Sequence, residues 1–259
     1  MKQQAFVAQQ FGNTAGAYLS SAVHAQGADL DALRAIAAGM DAPAVLDLGC
    51  GAGHASFAVA PAARSVTAFD LSAQMLEVVA QASRERGLHH IATRQGDVGK
   101  LPFADASFDL VVTRFSAHHW PDVPAALQEA RRVLRPNGKL AVIDIIAPRN
   151  ALFDTTLQAV ELLRDGSHVR DYRVCEWGAK LQAAGFEHRL SSQWKLTMRF
   201  DEWTARMRTP ELRVQAIRSL FDSAPEEVGQ YFALQDDYSF AIDAAMFEAS
   251  ANAMGAGIV

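Results

Sequence analysis

Cysteine is scarce in this chain: two residues, Cys50 and Cys175, stand among 259, and their spacing does not suit a shared metal ion. That excludes a disulfide framework and fits a reducing compartment, so a cytoplasmic location is expected. Basic charge is also short, since 24 Lys and Arg against 29 Asp and Glu give a formal net charge of −5. General nucleic-acid binders draw their affinity from a dense Lys/Arg surface, so no nucleic-acid partner is expected. No apolar run reaches the length of a membrane span, and Met1 to Phe11 is glutamine-rich without a signal-peptide core, so no membrane association is expected either. Internal repeats and low-complexity linkers are missing, and no Gly-Lys-Ser/Thr follows a glycine loop to hold phosphate and magnesium.

What the chain does have is a hydrophobic half, enough for one large core. It also has a stretch around which the rest is organised, Val45-Leu46-Asp47-Leu48-Gly49-Cys50-Gly51-Ala52-Gly53-His54. This reads as a buried strand, Ala44 to Leu48, running into a glycine turn and a helix from about Ala55. Alternating glycines let the backbone approach a ligand closely. Further strands are predicted at Ser65 to Asp70, Ile91 to Gln95, Phe108 to Arg114 and Lys139 to Ile146. Helices fall between them at Ala73 to Arg86 and Pro124 to Leu134, the latter stopped by Pro136-Asn137-Gly138. Such alternation predicts βαβ units on a parallel sheet. Beyond Pro148, helices are predicted at Leu152 to Leu163 and Glu176 to Ala184, a long strand at Phe186 to Phe200, helical spacing from Asp201 to Gln235, and a final strand at Ser239 to Phe247.

The ligand of the glycine turn is narrowed by spacing. A dinucleotide fingerprint requires G-x-G-x-x-G, whereas the turn reads G-x-G-x-G with His54 next, which disfavours NAD or FAD. In open α/β sheets, ligands sit outside the carboxyl ends of the strands. Asp70, closing the second predicted strand, is placed to accept both ribose hydroxyls of a nucleoside. Asp97, after the third, is placed to accept an adenine amine, with Val98 covering the ring. Each acid alone equally suits a turn or helix cap.

Together these residues resemble the class I S-adenosylmethionine-dependent methyltransferases. Leu46 to Gly53 is similar to the family's first motif, Asp70 to its ribose acid and Gly96-Asp97 to its adenine-site pair. Phe108-Asp109-Leu110-Val111 and Val133 to Leu140 are similar to later motifs. Leu101-Pro102-Phe103-Ala104-Asp105 and Ala117-His118-His119-Trp120 resemble the ubiquinone/menaquinone methyltransferase-like branch, with its YcgJ-like and YafE-like bacterial members. The YafE-like similarity extends to Gln10-Phe11-Gly12, Tyr18, Ser167-His168-Val169-Arg170 and Ala205 to Pro210.

The resemblance implies a doubly wound Rossmann-like α/β fold, with a seven-stranded sheet whose last strand is antiparallel. One domain is expected over residues 1–259, comprising an N-terminal helical arm (1–40), a core (44–200 and 238–250) and a helical lid (201–237). The implied cofactor is S-adenosyl-L-methionine, leaving as S-adenosyl-L-homocysteine. Expected cofactor contacts are Asp47 and the loop residues Gly49, Cys50, Gly51 and Gly53. Asp70, Leu71, Met75, Gly96, Asp97, Val98, Arg114, Phe115 and His119 complete the set, with Phe11 and Tyr18 either closing over the cofactor or packing in the arm. Methyl transfer needs alignment and exclusion of water more than acid–base groups. For an acceptor that must lose a proton, His118, His119 and His168 are the candidate bases, or else packing residues. Arg170, Trp203, Arg206 and Met207 are candidate acceptor contacts, and the acceptor is expected to be a small aromatic or heterocyclic metabolite. A monomer or homodimer without metal is expected. A nicotinamide-dependent oxidoreductase and a non-catalytic cofactor-binding module are the alternatives.

Overall fold

The computed structural model describes residues 2–12 and 27–251. Its centre is a seven-stranded sheet in the order β3-β2-β1-β4-β5-β7-β6. The strands are β1 (Ala44–Leu48), β2 (Ser65–Asp70), β3 (Ile91–Gln95), β4 (Phe108–Arg114), β5 (Leu134–Ile145), β6 (Glu187–Met198) and β7 (Phe240–Ser250). The first five run parallel, and β7 runs antiparallel to both β5 and β6. This is the doubly wound sheet with an antiparallel last strand that the sequence predicts. The order reverses beside β1, which pairs with β2 on one side and β4 on the other, so the turn after β1 lies at the switch point.

Every residue of β1 is buried, as a central strand covered on both faces requires. On one face Val45, Val66, Leu110 and Val112 pack with Leu30, Leu33 and Ala58, from α2 (Ala28–Ala38) and α3 (His54–Val59). On the other, Leu46, Leu48 and Val111 pack with Leu127, Val133 and Trp177, from α5 (Val123–Val133) and α7 (Val174–Ala183). Helix α4 (Ala73–Glu85) starts where the Ser72 hydroxyl accepts the Met75 N–H, and α5 where Asp122 accepts the Ala125 N–H, satisfying donors that helices otherwise leave orphaned.

Before the sheet, α1 (Gln3–Gly12) forms the described part of the arm; Tyr18 lies outside the described residues. After β5 comes α6 (Ala151–Arg164), which packs on the insertion before β7 formed by α8 (Phe200–Arg206), α9 (Glu211–Asp222) and α10 (Glu226–Tyr231). The insertion shares a core with the sheet, in which Phe200, Trp203, Ile217 and Phe221 pack with Met198 of β6 and Phe240 of β7. Each large side chain contributes about 1.5–3 kcal/mol when fully buried. That core fixes α8 against the sheet's far end.

Two strand boundaries depart from the sequence reading by three residues or more. Helix α5 ends at Val133, and β5 begins at Leu134 rather than Lys139 because Leu134 pairs with Phe108 before a register shift to Leu110 and Lys139. Pro136-Asn137-Gly138 is therefore an irregularity within the strand's span, with Asn137 at φ 63°. The final strand extends to Ser250 because β5 and β6 both pair with its alanine-rich end.

Candidate active site

The carboxyl ends of β1, β2 and β4 open onto a cleft, and the glycine turn forms its floor. The turn is fixed by Gly49 and Cys50, whose N–H groups both donate to the Phe69 carbonyl, at 2.8 and 3.1 Å. Gly49 (φ 64°) is forced as well as favoured, since a Cβ there would run into the Ser116 hydroxyl. Gly51 (φ 49°) differs: a Cβ there would meet nothing within 4 Å, yet the residue lines the cleft. Its missing side chain leaves room for a ligand at the backbone. Gly53 stands behind the turn, against Val79 and Phe57. Cys50 lines the cleft, but burial and the nearby Asp70 carboxylate push its thiol well above the ordinary range, which does not suit a nucleophile.

Asp47, one residue before the end of β1, is 1% exposed and lines the cleft. Its Oδ2 accepts the Ser56 hydroxyl at 2.6 Å, while Oδ1 is buried with no hydrogen-bond partner. Burial pushes its pKa up to about 6 against the opposing Ser56 bonds. A buried carboxylate oxygen without a donor is expensive, and the cationic ammonium of an amino-acid ligand would satisfy it. Asp70 accepts the Gly51 N–H on Oδ2 and the Ser72 N–H on Oδ1, both at 2.9 Å, which points the carboxylate along the cleft. Burial again raises its pKa, against those backbone bonds. Leu71, Met75, Asp97 and Val98 line the same cavity. Gly96 does not: it packs on the Phe69 ring, which a Cβ would strike. These residues fit S-adenosylmethionine, with an orphaned acid for the amino end, a cradle without side chains at Gly51, and acids at the ends of β2 and β3.

Helix α1 covers this cleft. Gln4 Nε2 donates to Asp97 Oδ2 at 2.5 Å, Gln3 Nε2 to the Ser167 carbonyl at 2.8 Å and Gln10 Nε2 to the Met207 carbonyl at 3.1 Å. Phe11 stands edge-on to the His119 ring at 4.8 Å. Arg114 lines the cleft beside Asp47, with its Nε donating to Asp29 Oδ2 at 2.5 Å in a buried ion pair and its guanidinium 4.6 Å from the Phe115 ring.

A second chamber shares Phe11, Phe115 and His119 with the cleft. Ile145, Met198, Trp203 and Ile242 form its apolar wall; His118, Glu161, Arg164, Asp171 and Arg206 carry its charge. The two adjoining histidines, with ring centroids 4.2 Å apart, lie in opposite electrostatic states. Asp144 accepts from His118 twice, on Oδ1 from the ring Nδ1 at 2.5 Å and on Oδ2 from the backbone N–H at 3.1 Å. Burial opposes charge on His118, but the Asp144 carboxylate outweighs it, with Asp171 and Glu161 adding, and holds the pKa at about 9. His119, by contrast, is pushed down to about 4 by burial and by the charge of His118. Its Nδ1 lies 3.2 Å from the Ser167 carbonyl and its Nε2 3.9 Å from Asp165 Oδ2.

Other residues singled out in the sequence fall elsewhere. His168 does not reach either cavity: it is buried with Nε2 3.0 Å from Gln158 Oε1, and burial together with the charge of His118 drives its pKa far down. Arg170 also lies outside both cavities, turned to Asp154 at 3.4 Å and Glu176 at 3.7 Å, because its loop is pinned by the Val169 and Arg170 N–H groups to the His118 carbonyl. Met207 is buried and reaches the site through its carbonyl, on Gln10. Trp203 and Arg206 do line the second chamber. Sequence reasoning missed Gln3, Gln4, Asp144, Glu161, Asp165 and Asp171. Of these, Asp144 carried a signal, as an acid inside the apolar run Ala141 to Ile146.

Comparison with known proteins agrees with this geometry. Residues 46–142 match the family model described as a methyltransferase domain. The Escherichia coli protein YafE is 49% identical over 197 residues, 76% of this chain and 95% of its own length. The Bacillus subtilis uncharacterized methyltransferase YcgJ is 33% identical over 224 residues, 86% of this chain and 88% of its own length. The crystal structure of YcgJ superposes with a TM-score of 0.83 at 30% identity, covering 87% of this chain and 99% of that one.

Proposed function

This chain belongs to the YafE- and YcgJ-like class I S-adenosylmethionine-dependent methyltransferases, and we propose that its acceptor is a small aromatic or heterocyclic metabolite. The observation that carries this is the second chamber, which shares Phe11, Phe115 and His119 with the cofactor cleft and is walled by Trp203 and aliphatic side chains. A non-catalytic binding module would have no use for such a chamber.

Bound S-adenosylmethionine supplies an already activated methyl group. The chain's own residues are left with holding and shielding. Asp47 Oδ1 accepts the ammonium of the amino end, Asp70 the ribose hydroxyls, and Asp97 the adenine amine once Gln4 shares or yields its bond. Phe11 and His119, edge to face at the junction of the two cavities, exclude water from the reacting centre. Arg114 sets the field beside Asp47 while anchored on Asp29. Among the described residues no helix is long and apolar enough to cross a membrane. The net charge of −5 and the free cysteines support a cytoplasmic enzyme, monomeric or homodimeric, acting on free small molecules rather than nucleic acid.

The experiment is a methylation panel of phenols, quinols and heterocycles, with bulk RNA and protein alongside, read as S-adenosylhomocysteine formed. Turnover on a small molecule supports the proposal; turnover confined to RNA or protein refutes it.

A further inference from the structure

The chamber wall holds a group that the cofactor reading leaves unexplained. The His118 ring is fastened through Nδ1 to Asp144 Oδ1 at 2.5 Å, and the second oxygen of Asp144 accepts the His118 backbone N–H, so ring and carboxylate are locked in one orientation. Among the described residues Nε2 has no hydrogen-bond partner, although His118 lines the chamber and its ring is adjacent to His119 at the junction with the cofactor cleft.

We propose that His118, locked on Asp144, is the acceptor-binding residue of the chamber and that it receives an acidic hydroxyl compound, a phenol or enol, as its oxyanion on Nε2–H. This rests on the methyltransferase reading above and names the acceptor class within it. The proton of the acceptor hydroxyl is given to solvent, so no side chain in the site accepts it. The oxygen keeps its electron pair for the methyl group and is held by a charge-assisted hydrogen bond from the imidazolium. No resting base is needed, which accords with a neighbouring His119 too weakly basic to serve as one.

The other groups facing His118 are compatible. Asp144 balances its charge from β5. Asp171 and Glu161 face the same chamber, each with its carboxyl pushed up by burial and drawn back down by the charge of His118. The His119 and His168 rings are neutral at pH 7. Arg164, paired with Glu161 at 3.6 Å, and Arg206 also line the chamber. An amine acceptor would meet the imidazolium as a cation and be repelled. The apolar side formed by Ile145, Met198, Trp203 and Ile242 suits the face of a ring.

The probe is 4-nitrophenol, whose phenolate absorbs visibly, titrated with pH in the presence of the S-adenosylhomocysteine-loaded protein. The bound phenol is expected to ionise at least about one pH unit lower than the free one, a tenfold preference for the anion. That preference should fade above about pH 9, where His118 loses its proton. The uncharged counterpart 4-nitroaniline should bind at least about tenfold more weakly at pH 8. His118→Gln should abolish the preference while S-adenosylhomocysteine binding, measured by calorimetry, stays unchanged. If S-adenosylhomocysteine binds but 4-nitrophenol does not, or binds with unshifted ionisation, or the variant keeps the shift, the acceptor class is wrong. If S-adenosylhomocysteine itself fails to bind, the methyltransferase reading falls with it. The wild-type titration decides the matter even if the variant does not fold.

Discussion

Asp47→Asn should make the empty protein more stable and the cofactor site worse. In the wild type, Asp47 is fully buried, and its pKa rises from 3.8 to about 6 on folding. At about 1.36 kcal/mol per pH unit, that rise corresponds to ~3 kcal/mol of lost stability once the carboxylate is ionised in both states. The sign follows from the upward shift. Below pH 3.8 the carboxyl is protonated, folded or unfolded, and there is no loss; the loss grows as pH rises toward about 6 and is complete above about 7. Asparagine carries no charge and keeps the shape. Urea denaturation at pH 4 should therefore show the two proteins alike, and at pH 8 the variant should be more stable by up to ~3 kcal/mol, less whatever its amide leaves unpaired. The same substitution removes the charged acceptor for the ligand ammonium, a charged hydrogen bond of about 1.5–3 kcal/mol, or about 10- to 150-fold in Kd for S-adenosylhomocysteine. Equal stability at every pH, with undiminished binding, would refute the role assigned to Asp47 Oδ1.

Gly51→Ala places a methyl group into open cleft space at φ 49°; stability should fall by about 1–2 kcal/mol while S-adenosylhomocysteine binding is lost, a split visible by thermal melting alongside calorimetry. Asp29→Ala breaks a buried ion pair of Arg114 and should lower stability in a denaturant titration. The His118–Asp144 pair should make stability pH-dependent in the alkaline range. Its contribution is full below about 6.5 and is lost as pH rises through about 9, so the wild type should lose ~3 kcal/mol relative to His118→Gln between those limits.

The sheet was legible because a parallel strand buried on both faces leaves a short apolar run between turn residues, as in Ala44 to Leu48 and Phe108 to Arg114. The cofactor cleft was legible for a topological reason: parallel strands bring their carboxyl ends to one edge, so Gly49, Asp70 and Asp97 converge whatever the helices do. The start of β5 was not, because it depends on Leu134 finding Phe108 across a register shift. The second chamber was the least legible part. Its charged members come from the turn after β4, α6, the loop after α6 and α8, and nothing local relates Asp144 to His118. His168 and Arg170 belong to a motif that shapes the site from behind, through backbone bonds to the His118 carbonyl, rather than by entering it. Likewise Gln4 meets Asp97 only because α1 folds back over the cleft.

The central claim is that the cleft at the ends of β1, β2 and β3 holds S-adenosylmethionine through Asp70. Calorimetric titration of S-adenosylhomocysteine into the wild type and Asp70→Ala tests it directly. One site per chain is expected, weakened at least about tenfold in the variant by loss of the charge-assisted ribose bonds. Undiminished binding in the variant, or binding of NADH with none of S-adenosylhomocysteine, would contradict it.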